Sequence, residues 1–162
     1  MSDDDFRQWW QPALQPGEIV VHGEHVLQGY LGGEGDRENK FKVGEHIWHR
    51  TGDLGYFDDS SQLWLLGRCS AKIRDALGTV YPFAVETAAM QFAEIDRAAL
   101  CALDGKRILV IETSAQVATI QERLSGIIDR FHIDRIVRQQ VPMDKRHNAK
   151  VDYPTLLKNL KE

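Results

Sequence analysis

The segment that decides the fold is HRTGDLGYFDD, residues 49–59. It places a cation, a hydroxyl, a glycine and a carboxylate side by side, and then returns at once to aromatic and apolar residues. A turn at the end of a strand would explain the glycine, which adopts the backbone conformations that tight turns require. A turn alone would not explain the whole set of polar residue types, so the explanation has to come from the rest of the chain.

The sequence on both sides of this segment predicts a small β lobe. Residues 17–31 are rich in β-branched side chains, and residues 47–59 carry aromatic and β-branched residues at a density typical of strands. Residues 58–61 predict a hairpin turn, and residues 62–68 follow it as the return strand. Residues 32–46 are predicted to form a polar, glycine-rich loop.

The second half of the chain changes its hydrophobic period and predicts helices packed against a short sheet. Pro82 fits the first turn of a helix that follows a hairpin through residues 75–78. The remaining elements are predicted as strand, strand, helix, strand and helix over residues 97–103, 107–112, 117–131, 133–140 and 154–160. The predicted fold class is therefore α+β, with a small β lobe followed by an α+β lobe.

Composition and charge argue against several classes of partner. The 162 residues carry a net charge of −4 and contain no lysine- and arginine-rich run, which disfavours nucleic acid and anionic membranes. Two cysteines are too few for a disulfide framework, so the expected location is the cytoplasm. No apolar run approaches the ~20 residues that a membrane-spanning helix needs.

Six segments carry a resemblance to a known family: GEIVVHG (17–23), GY (29–30), HRTGDLGYFDD (49–59), LGR (66–68), VYPFAVE (80–86) and NAKVDY (148–153). In this order and at these separations they resemble the C-terminal third of the adenylate-forming superfamily. That superfamily includes acyl-CoA synthetases, luciferases and the adenylation domains of peptide synthetases. The resemblance implies that the chain is the C-terminal fragment of an AMP-forming acid ligase, and that it is inactive by itself.

The resemblance also implies a division of the chain. Residues 1–16 are expected to be a tail, and residues 17–67 a β subdomain that ends the family's large domain. Residues 68–71 are expected to form a hinge that pivots at Ser70, and residues 72–162 a mobile C-terminal α+β lobe that acts as a lid domain. The family's N-terminal adenylation domain has no counterpart in the sequence and is the expected partner.

Asp53 is the candidate ligand for the ribose of a nucleotide. A lone Gly-Asp pair is ordinarily part of a turn, but the family motif implies a carboxylate that accepts hydrogen bonds from both ribose hydroxyls. Arg68 would by itself be an ordinary solvated residue at a strand end, and the resemblance implies that it lies beside the same ribose. Thr51 and Gly52 are expected to shape the nucleotide loop.

Lys150 is the candidate catalytic residue. A single lysine in a polar loop is normally solvated surface. The resemblance implies that this lysine enters the active site and contacts the carboxylate substrate and the α-phosphate. Two anions must meet there, and a cation at ~4 Å contributes about 4 kcal/mol at an effective dielectric constant of about 20. The family resemblance also implies a structural role for Glu86, the last residue of VYPFAVE.

The resemblance implies ATP and AMP as cofactors, Mg²⁺ held by the parent enzyme outside this chain, and a carboxylic acid substrate, expected to be a fatty acid. The histidines form two H-x-x-H pairs, His22 with His25 and His46 with His49. Residues i and i+3 of a strand point to opposite faces, so neither pair chelates a metal easily. No metal site is therefore predicted.

Two residues depart from the family pattern. Ser70 stands where the family hinge usually carries a charge. Leu77 stands where the family usually has a glycine on the pantetheine route, unless the register shifts to Gly78. A leucine there would narrow the route, which suggests a parent enzyme that does not use CoA. The segment MDKRHNAKV (143–151) also resembles olefin-pathway β-lactone synthetases.

An alternative from another functional class stays open on the sequence. The chain could be a non-catalytic, stand-alone lobe that docks a partner or binds nucleotide weakly. Trp9 and Trp10 would supply an apolar patch for such a partner, unless they pack on the β lobe.

Overall fold

The computed structural model describes residues 1–145 and 150–162. The chain divides into two compact units, Met1–Ser70 and Ala71–Glu162. Both units contain helices and strands, which confirms the α+β class predicted from the sequence. Among the described residues, no helix has the length and apolar character that crossing a membrane requires.

The first unit is built around one long strand. Its elements are α1 (Asp3–Arg7), β1 (Gly17–Val21), α2 (Asp36–Asn39), β2 (Lys40–Val43), β3 (His46–Phe57) and β4 (Leu63–Arg68). β3 pairs antiparallel with β1 on one side, and with β2 and then β4 along the other. The predicted hairpin turn is confirmed, because the Ser61 N–H donates to the Asp58 carbonyl at 2.9 Å.

The first sixteen residues differ from the expected irregular tail, because α1 forms there. The Ser2 hydroxyl accepts from the Asp5 N–H at 3.2 Å and the Asp5 carboxylate accepts from the Ser2 N–H at 3.3 Å, which is a capping box. Phe6 is buried, and its ring centroid lies 4.6 Å from that of Trp48. Trp9 and Trp10 contact Phe6 edge-on, yet both stay 63% exposed.

The predicted loop at residues 32–46 was wrong in part, because it contains α2 and β2. β2 reads Lys-Phe-Lys-Val, an alternation of period two in which Val43 is buried and Lys42 is exposed. The two lysines made this half-buried strand resemble part of the surrounding polar loop. The preceding strand is also shorter than residues 17–31, since β1 ends at Val21.

The second unit has a three-stranded sheet and a separate hairpin. Its elements are β5 (Ile73–Asp75), β6 (Gly78–Val80), α3 (Pro82–Ala89), β7 (Arg97–Leu103), β8 (Lys106–Glu112), α4 (Val117–Arg123), α5 (Ser125–Phe131), β9 (Arg135–Arg138) and α6 (Tyr153–Asn159). β7 and β8 run antiparallel, β8 and β9 run parallel, and β5 pairs with β6. The hairpin and the start of α3 at Pro82 agree with the prediction.

The single helix predicted over residues 117–131 was wrong, because two helices meet at Leu124. Leu124 leaves helical geometry at φ −84° and ψ 3°, while its side chain stays fully buried. The apolar spacing therefore continues across the break, and spacing alone cannot distinguish one helix from two short ones.

The sheet of the second unit is covered on both faces. One face, with Leu100 and Leu109, packs against α3, α4 and α5. The other face, with Ile108 and Val110, packs against Leu156 of α6. Burial on both faces explains why β7 and β8 have almost continuous apolar sequences instead of an alternating pattern.

Candidate functional site

The first part of the candidate site is an ion pair across β3 and β4. Asp53 and Arg68 face each other in the ladder, and Arg68 Nη1 lies 2.8 Å from Asp53 Oδ1. Their side chains are 30% and 38% exposed, so the pair is accessible to a ligand. Asp53 and Arg68, both candidate site residues in the sequence analysis, are fifteen positions apart in the chain and are in direct contact.

The backbone around this pair is held by its neighbours. The Thr51 hydroxyl donates to the Ile19 carbonyl at 2.8 Å and accepts from the Asp53 N–H at 3.1 Å. Arg68 Nη1 also donates to the Thr51 carbonyl at 3.0 Å. One hydroxyl thus joins β1 to the strand that carries the carboxylate.

Gly52 is required by both its conformation and its surroundings. Its φ is +70°, which residues with a side chain rarely adopt. A Cβ at this position would lie 3.1 Å from Arg68 Nη2. The structure therefore brings Thr51, Gly52, Asp53 and Arg68 together at one point of the sheet.

This arrangement presents an acceptor beside a cation. Asp53 Oδ1 is engaged by Arg68, while Oδ2 makes no hydrogen bond to residues 1–145 or 150–162. A carboxylate held in place with one oxygen unoccupied suits a neutral ligand that has neighbouring hydroxyl donors. The guanidinium neutralises the carboxylate and adds donors of its own.

Lys150 lies in the second unit, on an exposed bend beside α6. Its carbonyl accepts from the Asp144 N–H at 2.8 Å, and the next residue, Val151, forms an isolated bridge with Met143. The motif residues Asn148 and Ala149 lie outside the described residues. Since Asp53 and Lys150 belong to different units, their convergence on one ligand stays a prediction.

Ser70 is the last residue of the first unit and lies in a short 3-10 turn, Cys69–Ala71. It is exposed to solvent. Its role as a pivot stays a prediction.

His22, His46 and His49 contact aromatic rings or a backbone carbonyl oxygen. The ring of His22 lies 4.3 Å from Trp48 and 5.3 Å from His46, measured between centroids. His49 Nδ1 lies 3.1 Å from the Asn39 carbonyl oxygen. Within the described ranges, no three histidine, cysteine or acidic side chains converge as a metal site would require.

Sequence reasoning missed the polar contacts inside the second unit. Glu86 is buried, and its Oε1 accepts from the Tyr153 hydroxyl at 2.6 Å and from the Leu100 N–H at 2.9 Å. Burial raises the pKa of Glu86, although both hydrogen bonds act against the shift. Arg107 is also buried and binds Asp75. An arginine within the apolar strand segment RILVIE was the available signal for this second contact.

Comparison with known proteins gives several sequence relatives, although no protein-family model matches the chain. A 2-succinylbenzoate–CoA ligase of Bacillus licheniformis is 37% identical over 96 residues, covering 59% of this chain and 19% of that protein. An olefin beta-lactone synthetase of Xanthomonas campestris is 29% identical over 159 residues, covering 86% and 29%. A nonribosomal peptide synthetase of Aspergillus fumigatus is 28% identical over 164 residues, covering 90% and 7%. The chain therefore spans less than a third of each of these relatives.

Solved structures share the fold. The O-succinylbenzoate coenzyme A synthetase of Bacillus subtilis, in complex with ATP and magnesium ion, matches with a TM-score of 0.74 and 23% identity, covering 94% of this chain and 32% of that one. ATP-bound MatB from Rhodopseudomonas palustris gives 0.72 and 21%, covering 94% and 32%. The amide bond synthetase McbA from Marinactinospora thermotolerans gives 0.71 and 21%, covering 90% and 31%.

The sequence relatives and the shared fold agree with the resemblance carried by the six motifs. The proteins that the chain matches include adenylate-forming enzymes, and the part of them that it resembles is their C-terminal part.

Proposed function

We propose that the chain is the C-terminal portion of an ATP-dependent ligase that activates a carboxylate as an acyl adenylate. The observation that carries this proposal is the Asp53–Arg68 pair at 2.8 Å, framed by Thr51 and Gly52. The relatives named above include a CoA ligase and a β-lactone synthetase, which makes a ligase the best-supported class. Because the chain spans only a small part of them, activity belongs to the whole enzyme.

In this proposal Asp53 binds the ribose. Its Oδ2 accepts hydrogen bonds from the two ribose hydroxyls, while Arg68 orients the carboxylate through its contact with Oδ1. Hydrogen bonds to an ionised acceptor are roughly twice as strong as those between neutral groups. Thr51 prevents the strand from shifting, because its hydroxyl is bonded to β1 and to the Asp53 N–H.

Lys150 supplies the positive charge for the adenylation step. The substrate carboxylate attacks the α-phosphorus, and negative charge accumulates on the phosphoryl oxygens. An ammonium group on a flexible stem can follow that charge as it develops. Lys150 is exposed on a bend, so its side chain is not engaged in packing. Ser70 is assigned as the pivot on which the lid domain, residues 72–162, turns.

The described residues fit a nucleoside phosphate. An accessible carboxylate beside a guanidinium fits the sugar of ATP or AMP. No magnesium ligand is assigned to the described residues, where no cluster of three suitable side chains occurs. We therefore assign Mg²⁺ to the N-terminal adenylation domain, the proposed partner of this chain in the cytoplasm.

The acyl substrate and acceptor are narrower proposals. Leu77 lies at the tip of the β5–β6 hairpin, since Asp75 pairs with Gly78, and its side chain is 64% exposed. A leucine at this tip would obstruct a pantetheine arm, which favours an internal hydroxyl as the acceptor. The β-lactone synthetase relative, which matches 86% of the chain, supports this choice and a β-hydroxy fatty acid as the substrate.

A second candidate function is a stand-alone lobe that docks a partner. The observation that favours it is the exposure of apolar side chains on β4, where Leu63, Trp64 and Leu65 are each about half exposed. A neighbouring coding sequence for an N-terminal adenylation domain would favour the ligase, and its absence would favour the docking lobe.

A nucleotide titration of the chain tests the proposed function. AMP should shift the backbone NMR signals of Thr51–Asp53 and Arg68, and 2′,3′-dideoxy-AMP should not. Asp53→Ala should abolish the shifts, and Asp59→Ala, an exposed carboxylate in the turn that follows, should leave them unchanged. The assignment fails if millimolar AMP gives no shift at these residues, or if Asp53→Ala gives the same shifts as the unmodified chain.

A further inference from the structure

The contact between Glu86 and Tyr153 joins three elements of the second unit. Glu86 lies on α3, Tyr153 is the first residue of α6, and Leu100 lies in β7. One carboxylate oxygen, Oε1 of Glu86, accepts from both the Tyr153 hydroxyl and the Leu100 N–H. β7 is an edge strand, so some of its N–H groups have no partner within the sheet, and the Leu100 N–H finds its partner in Glu86.

The protonation states suit this contact. Burial, followed by the nearby Glu86 charge, raises the pKa of Tyr153 well above its ordinary value, so the hydroxyl keeps its proton and donates. Burial also raises the pKa of Cys101 to about 11, so the neighbouring thiol stays neutral. Of these three groups, Glu86 is the one that can carry a charge at neutral pH, and the Tyr153 hydroxyl and the Leu100 N–H both donate to it.

Packing alone does not require the Tyr153 hydroxyl. The ring packs against the apolar cluster that contains Ala99, Val141 and Leu156, where a phenylalanine would fit equally well. Packing does not require the Glu86 carboxylate either. Burying a carboxylate costs free energy unless it is hydrogen-bonded, so an apolar side chain would fill this space at lower cost. The pair therefore serves a purpose other than filling the core.

The segment Lys150–Tyr153 is held at several points, and the Tyr153 hydroxyl holds it through the buried Glu86. The Asp152 N–H donates to the Pro142 carbonyl at 2.8 Å, and the Asp152 carboxylate caps α6 by accepting from the Thr155 N–H at 3.1 Å. Tyr153 turns into the interior three residues after the exposed Lys150. The contact thereby fixes which way the segment faces.

We propose that Glu86 and Tyr153 are positioning residues that hold the segment Lys150–Tyr153 on the body of the second unit and so direct the Lys150 side chain outward. The catalytic meaning of this role rests on the proposed function, in which Lys150 contacts the reacting groups. The mechanical statement, that one buried hydrogen bond orders the segment, can be tested without any ligand.

Amide hydrogen exchange of the full chain provides the test. The reporters are the Asp144 and Asp152 N–H groups, which donate to the Lys150 and Pro142 carbonyls. Tyr153→Phe and Glu86→Leu should each accelerate exchange at both reporters by about tenfold or more, the effect of losing one strong hydrogen bond. Exchange at Val110, in the middle of β8, should stay unchanged in Tyr153→Phe.

Two matched variants separate positioning from a general loss of stability. Glu86→Gln keeps an oxygen acceptor and should restore slow exchange at the Asp152 reporter, whereas Glu86→Leu should not. Tyr81→Phe, a half-buried tyrosine of the same unit, should leave all the rates unchanged. The proposal is overturned if Tyr153→Phe leaves both reporters as slow as before, or accelerates them only together with Val110.

The result of the hydrogen-exchange experiment does not depend on the result of the nucleotide titration. Unchanged exchange in Tyr153→Phe rejects the positioning role and leaves the ribose site at Asp53 intact. A negative titration with accelerated exchange keeps the mechanical role and removes its catalytic meaning.

Discussion

Arg107 and Asp75 form a bidentate ion pair inside the second unit. The Arg107 Nε and Nη2 atoms each donate to a different oxygen of the Asp75 carboxylate at 2.7 Å, and the arginine side chain is only 2% exposed. Arg107 Nη1 donates to the Phe131 carbonyl at 2.7 Å. Since Asp75 ends β5, this arginine attaches the β5–β6 hairpin to β8 and to the end of α5.

Replacing Arg107 by lysine should destabilise the second unit. Lysine keeps the charge but cannot reproduce the planar fork that meets the two carboxylate oxygens and the carbonyl. We expect the free energy of unfolding to fall by about 2–4 kcal/mol, the effect of losing one or two charge-assisted hydrogen bonds at a buried site. Urea unfolding followed by far-UV circular dichroism gives this value.

The control for this prediction is Arg74→Lys, an exposed arginine one residue before Asp75. It should change the free energy of unfolding by less than about 0.5 kcal/mol. All four tryptophans lie between residues 9 and 64, so tryptophan fluorescence reports the first unit and should be unaffected by either variant. Equal stability of Arg107→Lys and the unmodified chain would contradict the assigned role.

The same pair predicts an acid-dependent loss of stability. The hydrogen bond from Arg107 lowers the pKa of Asp75 below its ordinary value. A carboxyl whose pKa is lowered by folding contributes stability that is present above the unfolded pKa, and that is lost as the pH falls through the lowered pKa. Unfolding measured between about pH 6 and 2 should therefore show a steeper acid decline in the unmodified chain than in Asp75→Asn. Parallel curves would rule out this contribution.

The β3–β4 hairpin and its ion pair could be anticipated from the sequence because their determinants are local. The turn at Asp58 and the aromatic and β-branched residues on both sides of it predict two paired strands, which bring Asp53 opposite Arg68. β2 was missed because its lysines made a half-buried strand resemble a polar loop. The break at Leu124 was missed because burial continues through it at helical spacing.

The contacts that organise the second unit could not be anticipated in the same way. Glu86 and Tyr153 are 67 residues apart, and Arg107 and Asp75 are 32 apart. Spacing within one element predicts which face is buried, but it does not predict which residues of separate elements meet. That pairing depends on how α3, α6 and the sheet pack, which the three-dimensional structure supplies.

Substituting Gly52 should damage the proposed ribose site without unfolding the chain. An alanine at φ +70° is strained by about 1–2 kcal/mol, and its Cβ would press against the Arg68 guanidinium. Arg68 would then move away from Asp53, and we expect the affinity for AMP to fall by about tenfold. The NMR titration measures this, and Gly126→Ala, a helical glycine with open space around it, is the matched control. Unchanged AMP affinity in Gly52→Ala would contradict the site.

Lys150→Ala should impair adenylation in the assembled ligase. By comparison with the loss of one well-placed transition-state donor, the rate should fall by about 10²–10³. The measurement is ATP–pyrophosphate exchange by the chain joined to its N-terminal adenylation domain, with Lys158→Ala, an exposed lysine of α6, as the control. The isolated chain should show only background exchange. Clear turnover by the isolated chain, or full activity of Lys150→Ala, would refute the assignment.

Leu77 should decide whether the assembled ligase can use CoA. The Leu77 N–H donates to Asp75 Oδ1 at 2.9 Å, and the same oxygen accepts from Arg107, so the hairpin tip is fixed while its side chain stays exposed. Leu77→Gly should remove the obstruction and raise thioester formation from ATP, CoA and a fatty acid, whereas Ala76→Gly should not. The measurement is the ratio of acyl-CoA to β-lactone when a β-hydroxy acid is supplied. Efficient acyl-CoA formation by the unmodified enzyme would show that a leucine at the tip leaves the pantetheine route open, and the internal hydroxyl would then lose its place as the acceptor.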